Sequence, residues 1–79
     1  MNVEFVLREV DRLFDENKAK EAESFLLKAL EEAKAEGEQG ICLQVLNELI
    51  GYYRQTSEKD RLREVIEESL ETAKTMELI

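Results

Sequence analysis

Apolar residues in this chain recur at helical spacing in four consecutive blocks, with only a few residues between one block and the next. Val3, Val6, Leu7, Val10, Leu13 and Phe14 mark a helix over about 3–16. Ala19, Ala22, Leu26, Ala29, Leu30 and Ala33 mark a second over about 18–36. Ile41, Cys42, Val45, Leu46, Leu49, Ile50 and Tyr53 mark a third over about 39–55. Leu62, Val65, Ile66, Leu70, Ala73 and Met76 mark a fourth over about 58–77. Spacings of three and four residues gather each block on one helix face. Connections this short force successive helices to run antiparallel. There is no proline and there are only three glycines, so little material is left for strand turns. The chain is expected to be all-α, one domain over 1–79.

The breaks between blocks have chemical causes. Asn17 and Gly37 can adopt the left-handed backbone that ends a helix. The segment "TSEKD" ends the third helix, and Ser57 is expected to cap the fourth, with Asp60 three residues on.

The chain is also a repeat. Shifting the first helix by 39 residues lays Val6, Leu7, Val10 and Phe14 over Val45, Leu46, Leu49 and Tyr53. Shifting the second by 40 lays Ala22, Phe25, Leu26 and Leu30 over Leu62, Val65, Ile66 and Leu70. The extra residue is expected in the turn, where insertion is tolerated. One helical hairpin is thus written twice, about 3–37 and about 39–77.

Charge narrows the function. The net charge is −8, from 19 acids and 11 bases, which repels phosphate backbones and anionic lipid. Neither nucleic acid nor a membrane surface is an expected partner. Histidine is absent, which excludes imidazole catalysis and histidine metal sites. Cys42, the only cysteine, lies among Ile41, Val45 and Leu46 and reads as a small core residue. The acids Glu64, Glu67, Glu68 and Glu71 fall largely opposite the apolar stripe and read as a solvated face. The Gly-x-x-Gly at 37–40 lacks a following lysine and a preceding strand, so it reads as a turn. No serine–base pair suggests a nucleophile. An enzyme is not expected, and no cofactor or metal is implied. The start "MNVEFVLREV" lacks a basic, apolar leader, and nothing approaches the length of a membrane span, so a cytoplasmic location is expected.

The hairpin resembles the tetratricopeptide repeat. The third helix reads Leu46–x2–Leu49–Ile50–x2–Tyr53 and the second Ala22–x3–Leu26–x2–Ala29. The resemblance covers nearly the whole chain as two long-helix repeats. Ile50 and Asp11 depart from it where the family has a small residue, Leu62 replaces the close-contact alanine, and the closing proline is missing. It implies two antiparallel hairpins stacked as a short α-solenoid, acting as a scaffold that holds a peptide or protein segment in a groove lined by helices one and three.

The third helix is nearly free of charge, carrying only Glu48 and Arg54. That predicts enclosure by helices one, two and four, with Tyr53 in the core and Tyr52 reaching water through its hydroxyl. One stripe remains outside this packing: Gln44, Asn47, Gly51 and Arg54, with Gln55 alongside. Its expected counterpart on the first helix is Phe5, Arg8, Arg12 and Asp15. The resemblance implies that these stripes line the groove. Amides can bond a peptide backbone, arginines can grip a carboxylate, Phe5 offers apolar contact and Gly51 permits close approach. An acidic segment or a free C-terminus is the partner this chemistry would favour. The competing expectation is that the arginines pair with nearby acids along their own helices, at about 0.2–0.5 kcal/mol per pair.

Two repeats leave apolar surface uncovered, because about three are normally needed to enclose a solenoid core. The fourth helix carries Val65, Leu70, Ala73 and Met76, and Leu78 and Ile79 follow. The alternative expectation is therefore a structural, regulatory or self-associating segment of a larger repeat protein. On that reading a homodimer would form through the open C-terminal edge.

Overall fold

The computed structural model describes residues 2–77. Four helices follow one another: α1 (Val3–Asp15), α2 (Ala19–Ala35), α3 (Gln39–Thr56) and α4 (Lys59–Glu77). The fold is all-α, two antiparallel hairpins side by side, with each helix packed mainly on its neighbours in sequence. The result is a flat slab of 40 × 28 × 15 Å rather than a closed barrel of helices.

Local chemistry sets the ends. Asn2 caps α1 by accepting the Phe5 N–H on its side-chain oxygen at 3.2 Å, which satisfies one of the unpaired donors of the first turn. Each later boundary is the same device. The N–H of Lys18 donates to the Leu13 carbonyl at 2.8 Å, and that of Asn17 to Phe14 at 3.0 Å. Glu38 and Gly37 repeat this on Ala33 and Lys34, and Glu58 and Ser57 repeat it on Tyr53 and Arg54. In every case one residue is left-handed: Asn17 at φ 61°, Gly37 at φ 70° and Ser57 at φ 58°. This pair of bonds closes a helix by satisfying its last carbonyls.

Two expectations change here. Ser57 is the left-handed terminator of α3, not the cap of α4; its backbone, not its hydroxyl, makes the turn. And no extra residue sits in the hairpin turn. The terminators at 17, 37 and 57 are evenly spaced, so an offset of 40 relates the whole first hairpin to the second, α1 to α3 included.

The core draws Val6, Val10 and Leu13 from α1, Ala22, Leu26, Ala29, Leu30 and Ala33 from α2, and Val65 from α4. The largest share comes from α3: Cys42, Val45, Leu46, Leu49, Tyr52 and Tyr53. Ala22 and Ala33 are wholly buried, as small residues must be where two helices approach closely. α3 packs on α2 and α4, and it meets α1 through the rings of Tyr52 and Phe14, whose centroids are 6.0 Å apart. Tyr52 does not reach water: it is buried between Phe14 and an edge-on Tyr53, centroids 5.3 Å apart. Leu78 and Ile79 lie outside the described residues.

Candidate interaction surface

The face of α3 opposite its buried stripe is narrow and exposed. Gln44, Asn47, Gly51, Arg54 and Gln55 all lie on it. Gly51 is instructive. A Cβ built there would meet nothing within 4 Å, and its backbone is ordinary helix. Glycine in a helix interior costs roughly 0.5–1 kcal/mol relative to alanine. Neither packing nor backbone strain calls for it.

The expected stripe of α1 is divided by the structure. Phe5, Arg8 and Arg12 are all exposed, but Phe5 and Arg12 line depressions that the α3 face does not share. Phe5 lines a depression with Val6, Phe25, Lys28 and Ala29. Arg12 lines another with Leu13, Lys20, Phe25 and Lys28. Both depressions lie between α1 and α2 alone, on the edge of the slab away from α3. The offset of 40 explains this. Gln44 corresponds to Glu4 and Gly51 to Asp11, whereas Asn47 and Arg54 correspond to the half-buried Leu7 and Phe14, and the apolar matching had slipped the register by one residue.

The arginines also differ in freedom. Arg12 is held by its own helix. Its guanidinium forks onto Glu9, with Nε–Oε1 at 3.2 Å and Nη2–Oε2 at 2.9 Å, and reaches Glu16 at 2.8 Å. These bonds raise the Arg12 pKa and hold the Glu9 carboxyl below its ordinary value. Lys18 first and Arg12 second lower that of Glu16. Among the described residues, no ion pair engages Arg8 or Arg54.

A buried polar junction lies where α2, α3 and α4 meet. Glu23 is only 8% exposed. It accepts a hydrogen bond from the Tyr53 hydroxyl at 2.8 Å, with Arg61 at 3.8 Å and Lys20 at 3.9 Å. A carboxylate taken from water needs such partners. Burial, reinforced by the bond to Glu23 and opposed by Arg61, pushes the Tyr53 hydroxyl up to about 12. Sequence reasoning missed Glu23, although a signal existed: it falls in step with Leu26 and Leu30 on the stripe that should be apolar.

Farther along the slab, Cys42 is buried as expected, at the floor of a cleft of about 280 Å³ beside the Lys34–Glu68 ion pair. Burial raises its thiol pKa, which keeps it protonated and a poor nucleophile. No helix among the described residues is long and apolar enough to cross a membrane. No protein-family model matches the chain, and no curated protein or solved structure matches it.

Proposed function

We propose that the protein is a protein–protein interaction module, a small helical scaffold that receives a peptide or protein segment on the exposed face of α3. The observation that carries this reading is Gly51, a mid-helix glycine that the fold does not need. A bare backbone there lets a ligand approach closely. Asn47 and Gln44, one and two turns before it, offer amides that match a peptide backbone, and the exposed Arg54, in no ion pair among the described residues, supplies a cation for a carboxylate. The tetratricopeptide resemblance of the repeated hairpin supports the same reading. Arg8 extends the face onto α1. Phe5 and Arg12, on the α1–α2 edge, are no longer part of it.

The test uses a displayed peptide library selected on the native chain and then offered to Gly51→Leu and Gln44→Ala. Leucine at 51 keeps or raises the melting temperature, because it is the better helix former, and abolishes capture by filling the approach. Undiminished capture by Gly51→Leu would exclude this face.

A further inference from the structure

The even spacing of the turns allows the two hairpins to be compared residue by residue. Inside the chain, the α1–α2 hairpin presents Leu26 and Leu30 to the α3–α4 hairpin, and both are buried at 0% and 5% exposure. Their counterparts at an offset of 40 are Ile66 and Leu70, which stand 40% and 58% exposed. In the other direction, α3 and α4 present Val45 and Val65, buried at 0% and 7%. Their counterparts are Phe5, 57% exposed, and Phe25, half-buried on the same edge. The uncovered apolar residues at the two ends of the slab therefore match, position for position, residues that are buried between the two hairpins within the chain.

We propose that copies of the chain assemble head to tail, with Ile66 and Leu70 of one copy seated on Phe5 and Phe25 of the next. The occupant is a second copy because the chain supplies both complementary edges and the internal hairpin contact is their template. Such a contact is heterologous, so it propagates rather than closing as a symmetric dimer. The charges follow the same map. The internal Glu23–Arg61 pair, 3.8 Å apart, becomes Arg63 facing Glu21, opposite in polarity and still complementary. The internal Lys34–Glu68 pair becomes Lys74 facing Lys28, which repel and keep the assembly reversible.

Sedimentation equilibrium on the full chain tests this. The native protein should exceed its monomer mass of 9.2 kDa progressively with concentration. Phe5→Glu and Leu70→Glu, both at exposed positions, should each weaken association about tenfold or more while melting normally. An equimolar mixture of the two should recover a 1:1 complex, because each variant keeps the edge the other has lost. Lys28→Glu should tighten assembly about two- to fivefold by recreating the internal ion pair. Gln44 and Gly51 correspond to the exposed Glu4 and Asp11, off this edge, so their variants should assemble like the native chain; the peptide face and the assembly edge thus fail or succeed separately. A monomer at ~1 mM would overturn the proposal, since that marks the weakest affinity of interest. So would loss of assembly by Leu70→Glu alone with Phe5→Glu unaffected, which indicates a symmetric contact through α4, or a mixture that stays monomeric.

Discussion

α3 and α4 are almost equally long, 18 and 19 residues, yet α3 buries six side chains and α4 only Val65. Both are amphipathic, and α4 has the richer supply of strong helix formers. What separates them is position. α3 has α2 on one side and α4 on the other, so its wide apolar surface is covered and a charge there would have no solvent. α4 is covered on one side, so Ile66 and Leu70 face outward and charged residues fill the rest. Helix propensity says that each will form; neighbours decide what each may carry.

The contrast can be broken at its deepest point first. Leu46→Ala, at a wholly buried site in α3, should lower stability by about 2–5 kcal/mol through lost burial and the cavity left behind. The urea midpoint measures it, and a much smaller loss would mean that α3 is not enclosed.

Tyr53→Phe should lower stability by about 1–3 kcal/mol, because Glu23 stays buried without its donor. This site also gives a pH dependence. Folding favours the neutral phenol, so its contribution is complete below the ordinary tyrosine value near ~10. It then drains away as pH rises through about 12. Melting temperatures of the native chain should fall across that window, and those of Tyr53→Phe should fall less. Parallel curves would show that Tyr53 is not the group responsible.

Ser57→Gly sharpens the comparison from the turn that joins the two helices. A serine at φ 58° is strained and glycine is not. The substitution should stabilise by about 0.5–1 kcal/mol, and Gly37→Ala should destabilise by a similar amount. Smallest of all, Leu70→Ala should fall within about 0.5 kcal/mol of the native chain, since little of the side chain is buried. A large loss in dilute solution would show that Leu70 is covered within the monomer.

Much of the fold was legible in the sequence. Periodicity placed the four helices to within about a residue, because a 3.6-residue stripe of apolar side chains admits little else. Asn17 and Gly37 announced their turns through their tolerance of positive φ. Ser57 misled because its hydroxyl suggests a helix start, while the chain used its backbone in a strained conformation that sequence chemistry disfavours. The register between α1 and α3 was lost by one residue because a wide apolar face offers a good match at adjacent offsets; only the turn hydrogen bonds distinguish them. That slip moved Phe5 and Arg12 from the edge to the face. Glu23 stood out only as an acid on the apolar stripe of α2; its partner was not legible, because Tyr53 lies 30 residues away and only tertiary packing unites them.

The three identical turns carry a consequence for how such a chain can grow. A single inserted residue rotates everything downstream by about 100° and exposes each buried stripe in turn. A whole helix with its terminator, doubled into a hairpin and spliced at Gly37, would instead leave every side chain in phase. Length in this architecture is therefore quantised: the molecule tolerates change by the module and resists it by the residue.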